Sequence, residues 1–403
     1  MAETPFTLSV PDADLELLRK KLQVTRLPDE LDDAKWDYGV PLADIKRLAA
    51  RWEDGFDWRK TEAEINKIPQ FTRDIEVEGF GTLNIHYIHQ RSELDGAIPL
   101  LFVHGWPGHF MEVAKLLPLL AAVTPDQPSF HVVTYSLPGS GFSETPKRKG
   151  FSILQYAEVG HKLMLALGYN EYVTQGGDWG SIITRSICHQ YGGNHAKAWH
   201  NNCPGFLGPP TFWSSPWLFL RFWMSPFTES ERRGLERTKQ YSEQGTAYYA
   251  VQSTQPQTLG YSLADSPVGL LAWIYEKLVA WTDDYPWTDD EILAWVSIYW
   301  FSRPGPAASV RIYHEAFADG QAFARPYIHV PTGISIFPKE VLCYPKLWCN
   351  SLGKLVCAYE HTKGGHFAAH EVPEVLADDL RKMFGIGGPA FGVVSGKSGY
   401  TVA

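Results

Sequence analysis

Apolar residues recur at helical spacing near the start of the chain, where Leu15, Leu18 and Leu22 follow the start signal Pro11-Asp12. Further helical patterns cover about residues 42–54 and about residues 59–67. The period then shortens to two. Asp74-Ile75-Glu76-Val77-Glu78 and Leu83-Asn84-Ile85-His86-Tyr87-Ile88 flank Gly79-Phe80-Gly81, which predicts a hairpin. Ile98-Pro99-Leu100-Leu101-Phe102-Val103 and His131-Val132-Val133-Thr134-Tyr135 read as buried parallel strands, covered on both faces. Ser152-Ile153-Leu154-Gln155 has the form of a capping box, with Phe151 placed to pack on Tyr156. The helix it opens runs to Gly168 and leads into the short strand Tyr172-Val173-Thr174, a tight turn, and a new helical pattern from Ile182. Strand, helix, strand, turn and helix in that order predict a parallel sheet with helices on both faces.

From about 206 to about 325 the alternation stops. Pro204, Pro209, Pro210 and Pro216 mark the break, and largely helical segments follow at Thr228–Ser242, Val268–Trp281 and Asp289–Phe301. Such an insertion is expected to form a helical lid. Sheet pattern returns at Ile334–Phe337 and Leu355–Tyr359, before a last helix of about residues 373–384. Beyond Gly385 the chain is rich in glycine and serine and is expected to be a mobile tail. Within it, Gly392-Val393-Val394-Ser395-Gly396-Lys397-Ser398 imitates a phosphate-binding loop, but its glycine spacing is one residue short and no strand or helix frames it.

Composition narrows the class. The 403 residues are 44% apolar and 20% charged, enough apolar residue for a sizeable core in a soluble protein. A net charge of −9 argues against nucleic-acid or anionic-membrane partners, and the longest basic cluster is only Lys147-Arg148-Lys149. Five cysteines, at 188, 203, 343, 349 and 357, have no zinc-site spacing and suit a reducing compartment. The start Met1-Ala2-Glu3-Thr4-Pro5 has neither a basic nor an apolar leader region, and no run of 18 apolar residues exists. A cytoplasmic protein without a membrane anchor is the expectation. Aromatic residues make up 14% of the chain, and Trp106, Phe110, Trp179, Trp213, Trp217, Phe219, Phe222 and Trp223 cluster around the motifs and the middle of the chain. Packing accounts for most aromatics, but such a cluster also suits the wall of an apolar pocket, for which Trp106, Trp179 and Phe110 are the candidates.

The chemistry centres on Gln175-Gly176-Gly177-Asp178-Trp179-Gly180-Ser181. A strand, a Gly-x-nucleophile-x-Gly turn and a helix make the nucleophile elbow of α/β-hydrolases. Here the central residue is Asp178, where an esterase would have serine. A carboxylate attacks an alkyl carbon and forms an ester that water must then break, which points to epoxide opening or halide displacement. The other partners of such a site come later in the chain, acid before histidine. Glu340, in Phe337-Pro338-Lys339-Glu340 after a strand, and His366, in Gly364-Gly365-His366-Phe367 before the last helix, fill those places. A solvated loop glutamate and a structural histidine are the plain alternatives, and His361 and His370 lack the glycine setting. His366 and His370 lie four apart, but no carboxylate cluster supports a metal site. His104-Gly105-Trp106-Pro107-Gly108 follows a strand, and the N–H groups of Trp106 and Trp179 are the expected oxyanion hole.

These motifs, in order and spacing, resemble the epoxide hydrolases of the microsomal and fungal type. Phe56-Asp57-Trp58-Arg59-Lys60 and Pro69-Gln70-Phe71 resemble that family's N-terminal module, and the likeness runs to about residue 385. The resemblance implies an α/β-hydrolase fold: an N-terminal helical and meander module over 1–95, core over 96–205, helical lid over 206–325, core again over 326–385, and a tail over 386–403. It also implies two lid tyrosines that donate to the epoxide oxygen. Gly245-Thr246-Ala247-Tyr248 matches the first and Arg311-Ile312-Tyr313 the second, giving Tyr248 and Tyr313. The implied reaction makes a vicinal diol from a small apolar epoxide without cofactor or metal, and a homodimer is compatible with it. Two departures stand out. Pro138-Gly139-Ser140-Gly141-Phe142-Ser143 replaces a loop that is often aromatic, and the chain starts directly at the module, as in the soluble fungal branch. A haloalkane dehalogenase is the nearest rival, but its second halide donor is commonly an asparagine where this chain has Trp106. A biosynthetic or non-hydrolytic relative of the same fold is the other.

Overall fold

Nine strands join in one sheet in the computed structural model, which describes residues 3–401 except 206, 211, 214 and 215. They are β1 (Thr4–Pro5), β2 (Gln70–Val77), β3 (Gly81–Gln90), β4 (Ile98–Val103), β5 (Phe130–Tyr135), β6 (Tyr172–Gly176), β7 (Ala196–Asn201), β8 (Ile328–Ile336) and β9 (Gly353–Glu360). Their order is β1-β2-β3-β5-β4-β6-β7-β8-β9. The predicted hairpin is β2–β3, antiparallel, and β3 pairs antiparallel with β5; from β5 to β9 the pairing is parallel. The N-terminal hairpin is thus part of the main sheet.

The pleat divides the core in two. Leu101 and Val103 on β4 face one cluster with Val133, Tyr135 and the helices Ile153–Ala166 and Trp179–Tyr191. Leu100 and Phe102 face the other, with Val132, Leu117, Leu120 and the helix Pro373–Phe384. Every residue of β4 and β5 is buried, which is why these strands lack a polar alternation. The helix Ile153–Ala166 begins as its signals predict: the Ser152 N–H donates to Gln155 Oε1 at 2.9 Å, and the Phe151 and Tyr156 rings meet edge-on at 4.9 Å. Gly168, with φ +85°, ends it in the left-handed conformation.

Between β7 and β8 the chain leaves the sheet for a set of helices, including Pro216–Met224, Glu229–Gln244, Ala247–Thr254, Pro267–Ala280, Asp289–Trp300 and Arg311–Ala318. The N-terminal helix Leu42–Glu53 clasps this insertion. Trp52 Nε1 donates to Ser297 Oγ at 3.1 Å, Arg51 makes two hydrogen bonds to Asp290 at 2.9 and 3.0 Å, and Arg47 pairs with Asp289. Leu48 and Trp52 are buried in the same cluster as Leu293 and Val296.

The expected mobile tail is packed. Ala390 and Val394 are buried, and Gly399 bonds both Gly96 and Ser129 through its backbone. Its glycines serve turns, with positive φ at Gly387, Gly392, Gly396 and Gly399, so their abundance marks bends and not looseness. No helix among the described residues is long and apolar enough to cross a membrane.

Candidate active site

The elbow lies where β6 ends, at the carboxyl edge of the parallel strands. Asp178 has φ +52° and ψ −130°, a strained backbone for a residue with a Cβ. The flanking glycines are required by contact: a Cβ on Gly176 would sit 2.4 Å from the Gly180 oxygen, and one on Gly180 would sit 1.8 Å from the Val103 oxygen. Gly105 is equally constrained, since its Cβ would meet Asp178 Oδ1 at 2.2 Å. That closeness lets the Trp106 N–H donate to Oδ1 at 2.8 Å.

The other carboxylate oxygen, Oδ2, is 3.6 Å from His366 Nε2. On the far side of the ring, His366 Nδ1 and Glu340 Oε1 are 2.6 Å apart. Glu340 comes from the loop after β8 and His366 from the loop after β9. The Lys339 N–H donates to the Gly364 oxygen at 3.1 Å, tying the two loops together, and the His366 N–H donates to the Trp281 oxygen at 2.8 Å. The fold therefore brings Asp178, Glu340 and His366 into one line, each on the end of its own strand.

Burial pushes the Asp178 carboxyl up, against the opposing pull of His366 and of the Trp106 and Trp179 amides. For His366 burial pulls the other way, toward the neutral ring, but Glu340, Cys203 and Asp178 together lift it well above its ordinary value. In the resting site these neighbours thus favour the protonated ring of His366.

Above Asp178 lies a small cavity, of about 50 Å³, with Trp179, Ile182, Cys203, Tyr241, Tyr248, Tyr313, Phe317 and Leu342 among its walls. Tyr248 and Tyr313 come from different lid helices, yet their rings meet edge-on at 5.9 Å. The Tyr248 and Tyr241 hydroxyls are 2.8 Å apart. The Tyr313 hydroxyl and Trp179 Nε1 are buried without a well-formed hydrogen bond among the described residues. Burial holds both Tyr248 and Tyr313 well above the usual phenol range, so both remain O–H donors.

Two sequence expectations about aromatics change. Phe110 is fully buried between His86 and Phe142 in the second core cluster, so it is a packing residue and not a pocket wall. Trp106 places its amide at Asp178, but its ring stacks on Tyr248 at 5.5 Å and meets Tyr313 edge-on at 5.7 Å; it backs the tyrosines and does not line the cavity. Trp213, Trp217 and Trp223 are exposed. Three residues near the site had no motif to mark them. Tyr241 lies seven residues before Tyr248 and meets it only through the turn between two helices. Glu112, just past the oxyanion loop, is buried and pushed up to about 8, chiefly by burial. Cys203 follows β7, a strand whose Ala196-Lys197-Ala198-Trp199-His200-Asn201 has no β-branched residue to announce it. Among the described residues one group sets metal-type donors within 4.8 Å of one another: Cys203, Glu340 and His366.

Comparison with known proteins agrees with this geometry. Residues 3–113 match the epoxide hydrolase N-terminus family, and residues 98–255 match the alpha/beta hydrolase fold. A Stigmatella aurantiaca protein bearing an epoxide hydrolase name is 38% identical over 94% of this chain and 84% of its own length. Epoxide hydrolase 1 of Sus scrofa is 36% identical over 95% of this chain and 88% of its own. The solved Aspergillus niger epoxide hydrolase, 35% identical, superposes with a TM-score of 0.82 over 94% of this chain and 95% of its own. The dehalogenase alternative finds no such support. With an aspartate elbow, its acid and histidine partners and two buried lid tyrosines in one place, this chain belongs to the epoxide hydrolase family.

Proposed function

We propose that Asp178 attacks an epoxide carbon while Tyr248 and Tyr313 hydrogen-bond the ring oxygen, and that water activated by His366 then releases a vicinal diol. One observation carries this reading: the Asp178 carboxylate has one oxygen on the Trp106 amide and the other facing His366, below two protonated tyrosines. In the first step the Asp178 oxygen forms a bond to carbon and the C–O bond of the epoxide breaks. The alkoxide takes a proton, and loss of one proton from His366 balances the step. Ester formation also removes the negative charge of Asp178, one of the influences that hold His366 protonated. The neutral ring, oriented by Glu340, can then take a proton from water, which attacks the ester carbonyl. The N–H groups of Trp106 and Trp179 stabilise the oxyanion; losing one such donor typically costs on the order of a hundredfold in rate. Collapse returns Asp178 as carboxylate and His366 as imidazolium, so the cycle closes.

The apolar walls favour a small apolar epoxide. A cytoplasmic location and a homodimeric assembly belong to the same proposal, and size measurement in solution tests the latter. The decisive experiment compares two variants. Asp178→Ala is expected to lose turnover, whereas His366→Gln should accumulate substrate-derived mass on the peptide containing residue 178. Full activity in the first variant would overturn the nucleophile assignment.

A further inference from the structure

Cys203 has no part in the steps above, yet it is buried at the end of β7 against the His366–Glu340 pair and borders the cavity. Its thiol lies in hydrogen-bonding reach of His366, and burial pushes it up to about 11, so by itself it is a neutral and unreactive thiol. Sγ of Cys203, a carboxylate oxygen of Glu340 and a ring nitrogen of His366 all lie within 4.8 Å of one another. A tetrahedral zinc site with Zn–S of about 2.3 Å and Zn–N or Zn–O of about 2.0 Å sets its donors about 3.3–3.6 Å apart, so small side-chain movements would close this triangle. A second observation points to a ligand. Glu340 Oε2 is buried and accepts no hydrogen bond among the described residues, while Oε1 holds both His366 and the Val341 N–H. A buried, unpartnered carboxylate oxygen is costly to keep and suits a cation.

We propose that Cys203, Glu340 and His366 form an inhibitory site for a thiophilic divalent cation of the zinc type. One thiolate, one imidazole and one carboxylate are a borderline-soft donor set that prefers zinc to magnesium or calcium, and the fourth position would open toward the cavity. Binding displaces to solvent the thiol proton and one proton of the His366 imidazolium; this makes the Cys203 sulfur an anionic donor and frees one ring nitrogen, and the metal compensates despite burial. Whichever ring nitrogen binds, catalysis stops. If Nε2 ligates, its lone pair is occupied; if Nδ1 ligates, the Glu340 bond is lost and Nε2 retains the proton. Only this inhibitory consequence rests on the proposed role of His366; binding rests on the donor geometry alone.

The test uses the whole protein and cobalt(II) as a spectroscopic substitute for zinc. One equivalent of cobalt is expected to give the near-ultraviolet absorption of a cobalt–thiolate bond, removable by zinc and absent in Cys203→Ser. Zinc should inhibit the wild type reversibly, with a chelator restoring activity, and the half-inhibiting concentration should rise on the order of tenfold or more in the variant. Cys203→Ala, checked by thermal melting, replaces the serine variant if that one unfolds. No thiolate band in the wild type, or a band that survives loss of Cys203, would overturn the site. A Cys203-dependent band with zinc-insensitive turnover would overturn its inhibitory role. Because the band needs no substrate, it is read independently of whether Asp178 opens epoxides.

Discussion

Glu112 sits so close beneath the oxyanion loop that a Cβ on Gly108 would lie 2.2 Å from its Oε2. Burial, with Asp178 and Glu340 adding to it and His366 opposing, pushes its carboxyl up to about 8. The folded value therefore exceeds the ordinary one near 4.5. The sign follows: the folded chain holds this proton more tightly than the unfolded chain, so the contribution to stability is complete at acid pH and is lost as pH rises through about 8. Glu112→Gln cannot make that charge. Melting temperatures measured from about pH 5 to about pH 9 should shift steadily in favour of the variant; parallel curves would show that Glu112 is not held neutral. Ionised Glu112 also places negative charge near the developing oxyanion, so wild-type turnover should fall above pH 8 more steeply than that of the variant. Tyr313 gives a second test. Among the described residues its hydroxyl has no well-formed hydrogen bond, so Tyr313→Phe should leave folding nearly unchanged. Ester formation should slow by roughly ten- to a hundredfold if it donates to the epoxide oxygen. An unchanged single-turnover rate would remove it from the proposed mechanism.

At the level of elements, the helix Asp289–Trp300 joins the oxyanion loop to the N-terminal helix Leu42–Glu53. Trp295 Nε1 donates to the Pro107 oxygen at 2.7 Å and the Tyr299 hydroxyl to the Gly108 oxygen at 2.5 Å, while Ser297, on the same helix, receives Trp52. The lid thus holds the oxyanion loop by its carbonyls and leaves the Trp106 N–H directed at Asp178. Trp295→Phe keeps most of the bulk but strands a buried carbonyl, a cost of about 1–3 kcal/mol. Both ester formation and hydrolysis should slow while KM changes little; a fall in stability with normal rates would make the contact structural only. Sequence placed this helix at Asp289–Phe301, and the structure starts it with a capping box of Thr288 and Glu291. The helix after Ser152 and the elbow were legible too, where local rules and global fold agree. The strand Ala196–Asn201 escaped notice because its place is set by neighbours β6 and β8 and not by its own propensity. Phe110 was misplaced for a related reason: proximity to a motif along the chain does not tell which way a side chain faces. Asp178, Glu340 and His366 were legible because strand-end loops always meet at one edge of such a sheet. The Tyr241–Tyr248 pair depends on how two lid helices cross, which no spacing encodes.

On the scale of the whole molecule, the two ends of the sheet have different duties. Asp178, Glu340 and His366 all project from the carboxyl ends of parallel strands, whereas the C-terminal segment closes the opposite end. The Gly399 N–H donates to the Gly96 oxygen at 2.9 Å, and the Gly399 oxygen accepts from Ser129 N–H at 2.8 Å, just before β4 and β5 begin. The Ser395 N–H donates to Glu171 Oε2 at 2.7 Å ahead of β6, and Lys397 reaches the Asp95 oxygen. Three central strands are thus fastened at their amino ends by one short segment, whose buried Ala390 and Val394 join the core beside the last helix. Burying a valine side chain contributes roughly 1.5–3 kcal/mol, and the hydrogen bonds add about 1 kcal/mol each at most where water would otherwise replace them. Removing residues 386–403 should therefore lower the melting temperature by several degrees. It should not alter kcat or KM well below that temperature, because the described residues of the segment bond at the opposite end of the sheet from the carboxyl edge. Thermal melting and steady-state kinetics on the truncated chain separate the two effects. A loss of kcat without a shift in melting would mean that the segment acts on the site, and the division of labour between the two ends of the sheet would fail.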